Sequence, residues 1–113
     1  MLKGNINHSV CAWCYPNLSL EELCIEAKRI GLVGIDLVKP KDFSILKKYG
    51  LISSMTDGAE ITQKESFNDP SYHSELKNRY INHIDYVSKA GFKNLICFSG
   101  NRKGMDDETG LNN

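Results

Sequence analysis

The sequence predicts an α/β fold built on a parallel sheet, because two patterns recur along its 113 residues. Short apolar runs typical of buried strands occur four times, at residues 6–12, 34–38, 51–55 and 94–99. Three predicted helices end in a basic residue, a glycine suited to the left-handed C′ position and then an apolar residue, with the glycines at Gly31, Gly50 and Gly91. Helix, glycine and strand in this order are typical of successive βα units, which connect right-handedly into a parallel sheet.

The first predicted strand, residues 6–12, leads to a helix that begins after Ser19. Ser19 and Glu22 have the spacing of a capping box, in which each side chain accepts from the backbone N–H of the other residue. Apolar residues then recur at helical spacing and are expected to face the core. They are Leu20, Leu23, Cys24, Ala27 and Ile30.

Two further helices are predicted before the last strand. The second is short, with Asp42 as its N-cap and an apolar face formed by Phe43, Leu46 and Tyr49. The third is the longest, with Asn68 or Asp69 as its N-cap and Pro70 in its first turn. Its buried stripe is expected to contain Leu76, Tyr80, Ile84 and Val87. No apolar periodicity follows residue 100, so the rest of the chain is predicted to be a loop.

Two parallel architectures are compatible with successive βα units: a doubly wound nucleotide-binding fold and a (βα)8 barrel. A doubly wound nucleotide-binding fold requires a glycine-rich turn after the first strand, and residues 11–16 contain no glycine. A (βα)8 barrel uses about 31 residues per unit, so 113 residues correspond to about 3.6 units. The sequence therefore predicts a partial (βα)8 TIM barrel, with about four strands and three helices of a parallel sheet.

The charge and hydropathy of the chain exclude several classes of partner. Lys plus Arg number 14 and Asp plus Glu number 14, so the formal net charge is zero. This balance argues against broad electrostatic binding to nucleic acid or to an anionic membrane. No apolar run approaches the about 18 residues that a membrane-spanning helix needs, and the N-terminal residues lack the apolar core of a signal peptide. We expect a cytoplasmic protein with no nucleic-acid or membrane partner.

Cys11 and Cys14 form a C-x-x-C pattern, which occurs in redox motifs and in halves of zinc sites. Zinc would need two more ligands at short spacing, and the sequence offers no second such pair. A redox motif usually opens a helix that lowers the thiol pKa, whereas this pattern lies at the end of a predicted strand. Small apolar packing is the favoured interpretation, and a thiol redox protein is kept as an alternative.

In a barrel, chemistry belongs to the loops that follow the strands. These loops are residues 13–18, 39–42, 56–69 and the segment from residue 100 onward. The third is long and polar, as expected of a lid or pocket wall. Trp13 is predicted either to line a pocket or to cover the barrel rim, and Lys39 and Arg102 either to bind an anionic substrate or to be solvated. No pair of carboxylates at strand ends is recognised as an acid/base couple.

Three histidines and one aspartate complete the candidates. His8 lies in the first predicted strand, where it faces either a ligand or the core. Asp36 lies in the second strand and has no partner identifiable from the sequence. His73 and His83 are ten residues apart, about 280° around a helix, so they form no metal pair and are expected at the surface.

Four segments resemble hydroxypyruvate isomerase-like proteins of the sugar isomerase/epimerase group, which have a xylose isomerase-like TIM barrel. The matching segments are residues 6–15, 34–38, 48–55 and 94–105. The last, Asn-Leu-Ile-Cys-Phe-Ser-Gly-Asn-Arg-Lys-Gly-Met, is the most specific. The resemblance implies that residues 1–113 are the N-terminal part of such a barrel domain.

The resemblance also implies a function. It is the isomerisation of a small hydroxy-carbonyl substrate, such as hydroxypyruvate to tartronate semialdehyde, by two glutamates and a divalent metal, Mg²⁺ or Mn²⁺. Those glutamates and metal ligands have no matching position in this chain, so no catalytic or metal-binding residue is assigned and this part alone is expected to be inactive. The resemblance implies a substrate-binding wall formed by His8, Trp13, Ser99, Asn101 and Arg102.

One alternative function stays open beside the isomerase. The chain could be a small α/β binding module without catalysis, because four parallel strands leave exposed sheet edges that favour pairing with a second copy. Homo-oligomerisation through those edges is therefore expected under this alternative.

Overall fold

The computed structural model describes residues 6–60 and 65–113 of the chain. They form a mixed α/β structure with a two-stranded parallel sheet and helices, as predicted at the level of fold class. The strands are β1 (Ser9–Cys11) and β2 (Gly34–Asp36). The helices are α1 (Leu20–Ile30), α2 (Phe43–Lys48), α3 (His73–Ala90) and α4 (Asp107–Asn112), and short 3₁₀ turns span Ala12–Cys14, Pro40–Asp42 and Pro70–Tyr72.

Two further segments lie beside the sheet without forming strands. Gly34 in β2 forms an isolated parallel bridge with Ile52, and Thr56 forms another with Leu95. The four parallel segments therefore follow one another in chain order, although only β1 and β2 form a continuous ladder. The close approach at Gly34 depends on glycine, since a Cβ there would lie 2.6 Å from the Ile52 carbonyl oxygen.

Side chains replace backbone ladder bonds where the predicted strands are cut short. The Ser54 and Met55 N–H groups donate to the Asp36 carboxylate, at 2.6 and 3.1 Å. The Asn94 amide donates to the Ser54 carbonyl oxygen at 2.9 Å. Leu37 has a φ of +58°, which ends β2 earlier than predicted. These contacts explain why the predictions for residues 51–55 and 94–99 yield single bridges.

The helix boundaries agree closely with the sequence. Ser19 and Glu22 form both hydrogen bonds of the capping box, and Gly31 ends α1 with a φ of +87°. Gly91 ends α3 in the same way, with a φ of +81°. Asp69 accepts from the Ser71 N–H and so caps the turn that leads into α3. Asp42 precedes α2, but its side chain makes no capping hydrogen bond, so that predicted cap is wrong.

Two residues assigned to buried helical stripes are exposed. Ile30 in α1 is 54% exposed and Ile84 in α3 is 52% exposed. At 100° per residue each lies roughly 60–70° from the centre of the buried residues of its helix. In α3, His83 lies closer than Ile84 to the centre of the buried residues, and it is only partly exposed.

The C-terminal segment also differs from the prediction. α4 lies where a loop was expected, and the Asp106 side chain accepts from the Thr109 N–H at 2.9 Å as its N-cap. The spacing of Asp106 and Thr109 is a local signal for a helix N-cap, and it is independent of the apolar pattern. Among the described helices, none is both long and apolar enough to cross a membrane.

The helices pack on one face of the parallel segments. This core face carries Ile35 and Leu51, which are buried against residues of α1, α2 and α3. Because successive strand residues point to opposite faces, Asp36 and Ile52 lie on the other side. We call that side, formed by Ser9, Cys11, Gly34, Asp36, Ile52 and Ser54, the open face. Ile52 is 50% exposed there.

Candidate functional site

A cleft of about 860 Å³ lies beyond the carboxyl ends of the parallel segments. Each of the four segments contributes residues to its wall from the loop or turn that follows. The polar and aromatic lining residues are Trp13, Tyr15, Lys39, Lys41, Asp42, Asp57, Glu60 and Phe98. The apolar lining includes Ala12, Leu20, Leu23, Leu37 and Val38. In parallel α/β proteins this end of the sheet is where ligands bind.

The aromatic wall is positioned by the turn after β1. The chain leaves β1 in the 3₁₀ turn Ala12–Cys14, and the Tyr15 N–H donates to the Ala12 carbonyl oxygen at 3.2 Å. This turn places Trp13 on the cleft with 70% of its surface exposed. Trp13 is therefore a large aromatic surface that the described residues leave available for a ligand.

The basic side of the cleft follows β2. Leu37 has a positive φ, and its N–H donates to the Met55 carbonyl oxygen at 2.8 Å, so the chain turns sharply at the edge of the cleft. The turn Pro40–Asp42 then places Lys39 and Lys41 on the wall. Within residues 6–60 and 65–113, neither ammonium group has an ion-pair partner.

Two carboxylates line the cleft after the third segment. The Asp57 carboxylate accepts from the Gly58 N–H at 3.0 Å. Glu60 Oε1 accepts from the Phe98 N–H at 3.1 Å, which ties the third loop to the fourth segment. Glu60 Oε2 is buried and has no hydrogen-bond partner in the part of the chain that the structure describes.

The Tyr80 hydroxyl lies behind this carboxylate. It donates to the Ile96 carbonyl oxygen at 3.1 Å. Burial, and secondly the neighbouring Glu60 carboxylate, raise the pKa of Tyr80. Gly58 makes this arrangement possible, since a Cβ there would lie 2.7 Å from the Ile96 carbonyl oxygen and 2.8 Å from the Tyr80 hydroxyl oxygen.

Asp36 is the hydrogen-bonded centre of the open face. Its carboxylate accepts from the Ser9 hydroxyl, from the Ser54 N–H and hydroxyl, and from the Met55 N–H. Burial acts to raise the pKa of Asp36, but the hydrogen bonds from Ser9, Met55 and Ser54 outweigh it and lower that pKa below its ordinary value. Asp36 therefore joins three parallel segments as a carboxylate whose partners the sequence did not reveal.

The five residues that the resemblance assigns to substrate binding do not form one cluster. Only Trp13 lines the cleft. His8 is exposed and precedes β1, where its carbonyl oxygen accepts from the Val33 N–H. The carbonyl oxygens of Ser99 and Asn101 accept from the backbone N–H and side-chain amide of Asn68, at 2.7 and 2.8 Å. Arg102 pairs with Asp107 at 2.8 Å.

The other two histidines are not simple surface residues, which corrects the sequence-based expectation. His73 and His83 are both partly buried. Their Nε2 atoms hydrogen-bond to the carbonyl oxygens of Phe67 and Asp57, at 2.7 and 2.8 Å. Each therefore attaches α3 to the loop between residues 56 and 69.

Sequence reasoning missed most of the cleft. Tyr15, Lys41, Asp57, Glu60 and Phe98 were not singled out, although each follows a predicted strand or lies at its end. Their positions in the sequence are the one indication of a role in the cleft: Asp57 and Glu60 belong to the long polar loop that is expected to form a pocket wall. Their convergence with Lys39 depends on the fold.

The described residues do not fit a metal site. Among residues 6–60 and 65–113, no group of three or more His, Cys, Asp or Glu side chains could hold a metal ion.

In comparisons with known proteins, no protein-family model matches this chain and no curated protein matches it.

Proposed function

We propose that this chain is the N-terminal portion of a (βα)8 barrel isomerase of the sugar isomerase/epimerase group, with a small hydroxy-carbonyl compound bound in its cleft. The observation that carries the proposal is the position of the cleft. It lies beyond the carboxyl ends of four parallel segments, and residues from the loops and turns at those ends line it. Four parallel segments correspond to half of the eight strands of such a barrel.

The lining supplies complementary groups for an anionic hydroxy acid. The ammonium groups of Lys39 and Lys41 attract a carboxylate, and the Glu60 carboxylate on the cleft wall is an acceptor for a hydroxyl group. Trp13 and Phe98 supply apolar contact along the carbon skeleton. In this proposal the chain binds and orients one side of the substrate, as one wall of the pocket.

Proton transfer belongs to the other half of the proposed barrel. The resemblance implies two glutamates and a divalent metal there, which would polarise the carbonyl and hydroxyl groups of the substrate. Of the residues in this chain, we assign binding roles only to those on the cleft wall. The proposal therefore expects ligand binding without turnover from the 113-residue chain.

Calorimetric titration with hydroxypyruvate tests this proposal. We expect weak binding that falls roughly tenfold in Lys39→Ala, which corresponds to about 1.4 kcal/mol. Lys47→Ala, on the exposed side of α2, is the matched control and should bind like the wild type. Binding that is absent, or that is equally strong in both variants, would contradict the proposal. Formation of tartronate semialdehyde together with stoichiometric Mn²⁺ binding would show that the chain is catalytically complete.

A self-associating binding module is the second candidate function. The open face favours it, because Ile52 is 50% exposed in the middle of the parallel segments. A second copy would cover this face and the sheet edges in the same way that the rest of a barrel would. Sedimentation velocity across a concentration series distinguishes the two: this candidate predicts a dimer that Ile52→Ser dissociates, and a folded monomer at all concentrations would exclude it.

A further inference from the structure

Cys11 and Cys14 lie at the two ends of one tight turn. Cys11 is the last residue of β1 and the N-cap of the 3₁₀ turn, and Cys14 is the last residue of that turn. Both are free thiols. Neither contributes to the buried core, so the packing role expected from the sequence does not account for them.

The turn holds the two sulphur atoms near each other. Residues i and i+3 of a 3₁₀ turn lie on the same side of the helix, because it has about three residues per turn. Their Cα atoms in such a turn are less than about 7 Å apart, and disulfides join residues whose Cα atoms are about 4.4–6.8 Å apart. The Cys14 thiol is also close enough to Cys11 to affect its ionisation.

Accessibility differs between the two thiols. Cys14 is exposed, whereas Cys11 is partly buried beside Asp36. Burial first, and then the neighbouring Cys14 and Asp36, raise the pKa of Cys11. This argues against a redox catalyst, which needs a thiol that ionises readily at neutral pH. A raised pKa of Cys11 lowers the fraction of its thiolate at neutral pH, so the pair can still form a disulfide, but slowly.

We propose that Cys11 and Cys14 are a modification site, at which a low-molecular-weight disulfide oxidises the pair to an intramolecular disulfide. The exposed Cys14 thiolate attacks one sulphur of the reagent, forming a mixed disulfide and releasing one thiol. The Cys11 thiolate then attacks the Cys14 sulphur, and the second reagent thiol leaves. The protein loses two hydrogen atoms and the reagent is reduced to two thiols.

The location of the pair connects this chemistry to the cleft. Ala12 and Trp13 lie between the two cysteines, and both line the cleft. Closing the bond restrains the turn that carries Trp13. Since exposed disulfides in short loops are the readily reduced class, the bond is expected to be reversible by cellular thiols.

Oxidation with glutathione disulfide tests the proposal, with the folded state checked by circular dichroism. In wild-type protein and in Cys97→Ser, a matched exposed cysteine variant, we expect the loss of two hydrogen atoms by mass spectrometry. We also expect peptide mapping to join Cys11 to Cys14, and the fluorescence of Trp13, the only tryptophan, to fall. Cys14→Ser should show no intramolecular bond.

The proposal also sets a pH dependence for the second step. Cys14 and Asp36 are the groups that oppose ionisation of Cys11, so ring closure should accelerate as the pH rises through the raised pKa of Cys11. A wild-type protein that stops at the mixed disulfide at every pH would overturn the proposal. A bond between Cys14 and Cys97, or one formed only in unfolded protein, would overturn it as well.

Discussion

The two faces of the parallel segments are stabilised in different ways. On the core face, Ile35 and Leu51 pack against buried helix residues such as Leu46, which has no exposed surface. On the open face, Asp36 joins Ser9 to Ser54 through hydrogen bonds, and Ile52 stays half exposed. Apolar burial within the chain therefore accounts for one face, while the other combines polar contacts with surface that the described residues leave uncovered.

This difference shows which part of the molecule is self-sufficient. The core face buries its apolar groups with helices from the same chain, so its stability is a property of this sequence. The open face leads directly to the cleft, since Asp36 is followed by Leu37 and the lysines of its wall. Function is therefore expected where the chain does not complete its own packing.

The largest expected effect on the free energy of unfolding is a difference between substitutions on the core face and on the open face. Leu46→Ala should lower the free energy of unfolding by about 2–5 kcal/mol, because it leaves a cavity in the core. Ile52→Ala should change it by no more than about 0.5 kcal/mol in a monomer. Urea unfolding followed by circular dichroism measures both. A cost for Ile52→Ala that grows with protein concentration would show that another copy covers the open face.

The polar centre of the open face is expected to contribute less. Asp36→Asn removes the charge and one acceptor oxygen from a carboxylate with four donors, so it should cost about 1–3 kcal/mol. Asp85→Asn is the control, because Asp85 is exposed on α3 and pairs with Lys89 in an i,i+4 contact worth about 0.3–0.5 kcal/mol. Equal costs for the two variants would mean that the Asp36 hydrogen bonds contribute nothing specific.

The same carboxylate should make stability depend on pH. The pKa of Asp36 is lower in the folded protein than in the unfolded chain, so the unfolded chain binds more protons as the pH falls. Its contribution is fully present above the unfolded pKa of about 3.9 and is lost as the pH falls through the lower folded value. Urea midpoints of wild type and Asp36→Asn should therefore converge below about pH 4. A difference between the two urea midpoints that persists below about pH 4 would mean that the Asp36→Asn variant is destabilised by altered hydrogen-bond geometry and not by the loss of the charge.

The smallest effect on stability is expected at the cleft itself. Trp13→Ala should change the free energy of unfolding by less than about 0.5 kcal/mol, because Trp13 is 70% exposed. The same variant should weaken hydroxypyruvate binding severalfold, since it removes the aromatic wall. A large loss of stability would instead identify Trp13 as a residue that covers the core.

The sequence predicted the parts of the fold that depend on local signals. Ser19 with Glu22 and the glycines at Gly31 and Gly91 mark helix ends through hydrogen bonds within a few residues, and the structure confirms them. Strand lengths were overestimated because Asp36 takes the Ser54 and Met55 N–H groups from the ladder. That competition occurs between residues 18 and 19 positions apart, which no local pattern contains.

The candidate site was predicted less completely than the fold. Placing chemistry after the strands identified the loops, and Trp13 lies on the cleft as that rule requires. Glu60 could not be recognised, because its role depends on the Phe98 N–H 38 residues away and on an oxygen without a partner. Ser99 and Asn101 instead contact Asn68, which only the folded loops bring beside them.

The most direct test of the proposed function is an NMR titration of the ¹⁵N-labelled chain with hydroxypyruvate. If hydroxypyruvate binds in the cleft, the NMR signals of the Trp13 indole and of the backbone amides of Lys39 and Phe98 should shift together, with one dissociation constant. The amides of Ala90 and Gly91, at the far end of α3, should stay unchanged. No shift at Trp13 and Lys39 at saturating ligand, or shifts confined to the segment around Ser99, Asn101 and Arg102, would contradict the assignment of this cleft as the substrate site.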